Sequence, residues 1–326
     1  MAELTTKSKL RLSPAEILSK YGIYVLFVFL ILILSVTNSK FFTATNFSNV
    51  LIQVSNYALL GVGMSFVIMT GGIDVSVGAT MVVSASAYVV ATQMYHLSEP
   101  VGLLILLLVS VLFGLINGVA IAYFDMPPFL VTLATQCIGR GFALVLTGGV
   151  SYRNLGASFT FIGKNSFLGL SLMVWVALLM FVIGYFLMHR TVYGRRVMAI
   201  GGNIQAARMS GIAVKKNIVS VYVLMGLIAG IAGFVTMARL GSFYASMGDG
   251  MEFMVIAAVV IGGTSMTGGE GSIIGTLVGT LIVGIINNAL NLFSVSADWQ
   301  GVAKGLVIFV AVMLDSARHK ISGGKK

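Results

Sequence analysis

The chain has 326 residues, 58% hydrophobic and 9% charged, with a formal net charge of +10. Soluble domains carry about 25% charged and about 45–50% apolar residues, so this composition excludes an ordinary soluble domain and a disordered chain. Its one cysteine, Cys137, excludes an intramolecular disulfide and a cysteine-based metal site.

A basic tail, residues 1–20, precedes the first apolar run. That run, 21–37, lacks a small-residue cleavage pattern after it, so it reads as an uncleaved membrane helix rather than a signal peptide. Charge gaps and Gly/Pro breaks then divide the chain into further segments at 49–70, 74–92, 101–124, 128–147, 167–188, 218–237, 251–263, 273–293 and 299–314. Each is close to the roughly 20 apolar residues needed to cross a bilayer, segment eight being short and glycine-flanked. The runs are continuous rather than alternating, which excludes a transmembrane β-barrel. The expected fold is an all-α polytopic bundle of about ten membrane helices over 21–314, with a second tail at 315–326.

In segment two, Gln53 and Asn56 share a helical face. Between segments two and three, Gly71 and Gly72 break the helix, and Asp74 stands where it can accept from free amides at the next helix start. Ser76 follows, and the reading divides between a structural cap and a gate. In segment five, Arg140 lies roughly 17 Å of helix rise from the start, near the bilayer centre. A charge there must face protein or a water-filled cavity. Arg140 therefore either lines a pathway or braces helices, with Gln136 one turn earlier on its face.

The loop at 148–166 is rich in Gly, Ser and Asn. The loop at 189–217 holds Arg190, Arg195, Arg196, Arg208, Lys215 and Lys216. Within it, Asn203 is placed to cap a short helix ending before Gly211. Gly262 and Gly263 open a glycine-rich turn after segment eight. Segment nine carries Asn287, Asn288 and Asn291, amides that either join helices or line a path for a hydroxylated solute. Lys304, near Trp299, reads as a snorkelling side chain. The pairs Gly114/Gly118, Gly226/Gly230 and Gly275/Gly279 allow close helix approach.

Ten crossings put both tails on one side, together with the 189–217 loop. Basic residues crowd that side, while the other has only Lys40, Arg153, Lys164 and Arg239. The positive-inside rule makes the crowded side cytoplasmic, with both termini there. Membrane topology thus accounts for the charge, and no nucleic-acid partner is expected. No phosphate-binding loop, HExxH, GxSxG or paired carboxylates occur, so no catalytic site is expected and any ATP hydrolysis belongs to another chain.

Over residues 20–315 the sequence resembles the permease subunits of bacterial ABC importers for monosaccharides, the ribose, xylose, arabinose and galactoside type. The resemblance rests on Gly71-Gly72-Ile73-Asp74-Val75-Ser76-Val77-Gly78, Pro127 to Ala134, and Gly139-Arg140-Gly141 leading to Gly149. It continues through Gly194-Arg195-Arg196, Ala199 to Asn203, Ala206-Ala207-Arg208 and Ser210-Gly211-Ile212, and ends with Ala257 to Ser265 and Gly268-Gly269. It implies a multi-pass protein of the bacterial inner membrane, paired with a second permease copy as a homodimer. It implies a cytoplasmic ABC ATPase that uses ATP and magnesium, a periplasmic sugar-binding protein, and a sugar cargo moved by alternating access. This chain itself binds no cofactor in that scheme. The stretch containing Gly194, Gly201, Gly202, Asn203, Ala207, Arg208 and Gly211 matches the family's ATPase-coupling region. Gly72, Asp74, Ser76, Gly262 and Gly263 are the gate or helix-turn candidates. Gln53, Asn56, Gln136, Arg140, Asn287, Asn288 and Asn291 are the path candidates. Related permeases carry autoinducer-2 or nucleosides, which leaves the cargo open. An autonomous secondary transporter or channel is the alternative of a different class.

Overall fold

The computed structural model describes residues 14–323. Helix α1 (Pro14–Thr37) leads to α2 (Ala44–Met69), α3 (Val77–Val89, continued by a π-helical turn Val90–Met94), α4 (Glu99–Tyr123) and α5 (Pro128–Thr147). A connecting region holds strand β1 (Tyr152–Arg153), α6 (Ala157–Lys164), β2 (Ser166–Phe167) and β3 (Leu170–Ser171). Then follow α7 (Leu172–Arg190), α8 (Val192–Gly202), α9 (Ile204–Met209), α10 (Val214–Leu240) and β4 (Ser242–Phe243). The last elements are α11 (Met251–Ile261), α12 (Ile273–Leu292) and α13 (Ala297–Gly323).

Among the described residues, seven helices are long and apolar enough to cross a bilayer: α2, α3 with its π-turn, α4, α5, α7, α10 and α12. Gly22–Thr37 of α1 and all of α11 are shorter apolar helices. The ten apolar segments of the sequence thus correspond to helices, but not all to full-length spans. The tail residues 1–13 and 324–326 lie outside the described part.

Caps move several boundaries away from those expected from hydropathy. Thr43 accepts from the Asn46 amide and starts α2 ahead of residue 49. Ser171 accepts from the Met173 amide, and residues 166–171 form a β2–β3 hairpin rather than the first turn of α7. Asn203 accepts from the Ala206 amide at 2.9 Å and starts α9, which ends before Gly211.

The centre of the bundle is α2 and α3, with 78% and 72% of their apolar windows buried, against 28% for α5 and α7, which face outward. α10 packs most extensively on α4. The reason lies in small residues. A Cβ on Gly114 would collide with the Tyr222 carbonyl, one on Gly118 would sit 2.8 Å from Val219 Cα, and one on Gly226 would strike the Ser110 carbonyl. Two of the small-residue pairs therefore face each other across one seam. The third pair lets α12 lie against α11, where Gly275 and Gly279 abut the carbonyls of Gly262 and Ala258. Without a hydrophobic drive between helices in lipid, such backbone approach is a main source of packing energy.

The bundle has two ends. At one, the turns 70–76 and 262–272 meet α8 and α9 with their arginines; this is the basic end. At the other, β1 pairs antiparallel with β4. There α6 is capped by Glu99, whose carboxylate accepts from the amides of Ala157 (3.1 Å) and Ser158 (2.7 Å). Tyr88 donates to the Leu155 carbonyl beside them. The 148–166 loop is thus a folded cap rather than an open loop.

Candidate functional site

At the basic end, α7 turns sharply into α8. Thr191 accepts from the Gly194 amide at 3.3 Å, and a Cβ on Gly194 would collide with the Met188 carbonyl. α9 then lies against the start of α10 through a small apolar cluster of Ile200, Ala207 and Val214. Ala207 is buried, whereas Arg208 and Gly211 are exposed and Met209 is 90% exposed. The outer face of α9 is therefore an exposed surface with one cation and a large apolar side chain beside the exposed Arg195 and Arg196.

The coupling and gate candidates, chosen from separate stretches of sequence, meet here. A Cβ on Gly201 would collide with the Met69 carbonyl and sit 2.5 Å from the Gly269 nitrogen. The Gly269 amide itself donates to the Met69 carbonyl at 3.0 Å. Gly268, at φ +84°, packs against Gly71 and Gly201. The end of α8, the end of α2 and the turn before α12 thus form one knot of backbone contacts. Gly202 is looser, with one contact at 4.0 Å for a Cβ. Gly262 is held by α12, and Gly263 takes φ +93° to turn the chain.

Asp74 is buried, and its Oδ1 accepts from the Ser76 amide (2.8 Å) and hydroxyl (2.6 Å). Ser76 in turn accepts from Asn117 Nδ2 of α4 at 2.9 Å. Thr132 of α5 accepts from the Val75 amide, and Tyr222 of α10 donates to the Ile73 carbonyl at 3.4 Å. One short turn is therefore tied to α4, α5 and α10. Gly72 leaves room for the Tyr222 hydroxyl, 2.5 Å from where its Cβ would stand. A cleft of about 320 Å³ runs along this turn and is bordered by Gly71, Gly72 and Tyr222 on one side and by Ile204 and Arg208 of α9 on the other.

At the opposite end, a cavity of about 300 Å³ is lined by Gln53, Asn56, Asn287 and Asn291, four of the seven path candidates. Tyr57, Thr236, Arg239, Gln300 and Lys304 complete its polar lining, and Met247 and Gly248 come from the loop before α11. The Asn56 side-chain oxygen is buried without a hydrogen-bond partner. Asn287 donates to the Tyr57 hydroxyl (3.4 Å), and Gln300 donates to Asn291 (3.2 Å). Lys304, expected from sequence to snorkel, borders this cavity.

The other three path candidates lie elsewhere. Asn288 exchanges hydrogen bonds with Asn46, at 2.7 and 3.2 Å. Arg140 Nη1 donates to the Met247 carbonyl at 3.0 Å, and Nη2 lies 3.5 Å from Asp249, which is 77% exposed. Gln136 donates to Glu252 at 2.7 Å. Glu252 is 1% exposed, and its second oxygen has no hydrogen-bond partner. Gly78 permits this arrangement, since a Cβ there would meet Glu252 Oε2 at 2.7 Å and Arg140 Nη2 at 3.2 Å. α11 is short because the loop 244–250 dips inward before it starts, and Arg140 holds that loop.

Sequence reasoning missed Tyr57, Arg239, Gln300 and Glu252. Gln300 and Lys304 are four apart, which was a readable signal. Glu252 looked like a segment edge because Gly250 precedes it. Among the described residues, no group of three or more His, Cys, Asp or Glu is placed to hold a metal.

Residues 46–312 match the family described as the branched-chain amino acid transport system / permease component. The ribose import permease protein of Bacillus subtilis is 42% identical, the alignment covering 96% of this chain and 97% of that one. The ribose import permease protein of Escherichia coli K12 is 37% identical, covering 98% and 100%. The L-arabinose ABC transporter permease protein of Azospirillum brasilense is 35% identical, covering 93% and 89%. No solved structure matches the chain.

Proposed function

The chain belongs to the family of branched-chain amino acid transport system / permease components, and on that premise we propose that it is the membrane-spanning permease subunit of an ATP-driven importer of a monosaccharide, ribose first among them. The observation that carries this reading is the near end-to-end similarity to ribose import permeases, 42% and 37% identical over 96% and 98% of this chain. The chain makes and breaks no covalent bond. Its contribution is shape, weak polar contacts and transmission of force.

In this reading the basic end faces the cytoplasm of a bacterial inner-membrane protein, in keeping with the positive-inside rule. A separate ABC ATPase, using ATP and magnesium, docks on the exposed face of α9 and the flanking arginines. A second permease copy stands beside the first, and a periplasmic sugar-binding protein delivers cargo at the opposite end. ATP binding draws the ATPase pair together and presses on α8 and α9. The knot at Gly201, Gly269 and Met69 offers a rigid route from that push to the ends of α2 and α12. Packed interfaces respond to such a push by switching between arrangements rather than deforming smoothly.

The test is purification from the native membrane in mild detergent, followed by identification of co-eluting chains and by uptake assays in vesicles. Co-elution with an ATP-binding chain, and ribose uptake that requires ATP, are expected. A protein that elutes alone and moves ribose without ATP would overturn the ATP-driven reading.

A further inference from the structure

We propose that each single chain holds its own binding site for a polyhydroxylated solute, in the cavity between α2, α10, α12 and α13 at the end opposite the coupling helices. This rests on the importer reading and adds to it a location within one chain.

The argument is the chemistry of the lining. Gln53, Asn56, Asn287 and Asn291 project from two helices onto one space of about 300 Å³, at the lower end of the roughly 300–1,000 Å³ of small-molecule pockets. Amides offer both donors and acceptors. Arg239 and Lys304 add donors, and among the described residues neither has a carboxylate within ion-pair distance. Asn56 is 2% exposed and lines the cavity.

A ligand for this site meets amides that both donate and accept, together with the N–H groups of Arg239 and Lys304. Hydroxyl groups do both. A zwitterionic amino acid fits poorly, because no carboxylate lines the cavity to receive its ammonium group. A metal cation fits worse still beside two positive side chains. A sugar-sized polyol meets each requirement.

The experiment uses the full chain in lipid nanodiscs, without partners, and D-ribose, D-xylose, L-arabinose, D-allose and L-leucine as probes. Saturable binding of at least one sugar, and none of leucine, is expected. Asn56→Leu should weaken binding about tenfold, the scale of one lost buried hydrogen bond. Asn56→Gln should restore part of it, and Leu179→Ala, on the lipid-facing side of α7, should leave it unchanged. Should Asn56→Leu not fold, Gln300→Cys in a Cys137→Ala background provides a second readout. Bound sugar should slow maleimide labelling of that cysteine by about threefold or more. The proposal is overturned if no sugar binds or protects, or if leucine protects equally. If the complete complex still imports ribose while Asn56→Leu and Lys304→Met import at the normal rate, this site falls and the importer stands. If the complete complex imports no monosaccharide, the importer reading falls with it.

Discussion

Gly201 and Gly269, far apart in the chain, stand so close that a Cβ on Gly201 would lie 2.5 Å from the Gly269 nitrogen. The contact joins the end of the candidate coupling helix to the turn that precedes α12. It is made of backbone, so neither partner can yield by changing a rotamer.

The first prediction follows from that stiffness. Gly201→Ala forces the two turns apart, an overpacking that costs about 1–3 kcal/mol. The complex should retain ATP hydrolysis and lose most solute uptake. Parallel ATPase and uptake assays check this, and Gly202→Ala, whose Cβ meets one atom at 4.0 Å, should do far less.

The α4–α10 seam gives a second test. Gly114→Val and Gly226→Val each insert side chains into a neighbouring backbone and should lower the melting temperature of the detergent-solubilised protein by several degrees, about 1–3 kcal/mol. Gly301→Ala, with nothing within 4 Å of its Cβ, should be neutral. Equal melting temperatures across the three variants would contradict the close approach.

Asn46 and Asn288 form a reciprocal amide pair, buried at 7% and 4% exposure. Alanine at either position should destabilise the α2–α12 contact, and the double variant should cost less than the sum. A double-mutant cycle should yield a coupling of about 0.6 kcal/mol, with a ceiling near 1.7. Strict additivity would show that the pair contributes nothing jointly.

Arg140 holds the loop 244–250 through the Met247 carbonyl, and its pairing with the exposed Asp249 adds little in water. Arg140→Met should therefore free the loop, while Asp249→Asn should not. Maleimide labelling of Ser246→Cys, in a Cys137→Ala background, should rise roughly tenfold in the Arg140 variant, the equivalent of one charged hydrogen bond.

The helical segments were legible because continuous apolar runs have no other use in so uncharged a chain. The amides of α2 and α12 were legible as faces, since Gln53 and Asn56, or Asn287 and Asn291, recur at helical spacing. Spacing could not separate Asn288, which turns toward Asn46 one position away from the cavity. Helix α6 was hidden because its cap, Glu99, belongs to another helix. Glu252 was hidden because depth in the membrane depends on where a loop dips, which hydropathy does not encode. The meeting of Gly201 with Gly269 is a long-range contact, and no local pattern marks it.

The folded cap over the opposite end has a consequence for the order in which the chain is made. Glu99 precedes α6 by 58 residues, so its carboxylate is already synthesised when the Ala157 and Ser158 amides emerge. β1 has the reverse relation to its partner: Tyr152 and Arg153 must wait for Ser242 and Phe243, which follow the whole of α7, α8, α9 and α10. During synthesis the cap is therefore anchored early on one side and left with an unpaired strand edge on the other. A chain that ends within α10 therefore has the Glu99 side of the cap in place and β1 still without its partner strand.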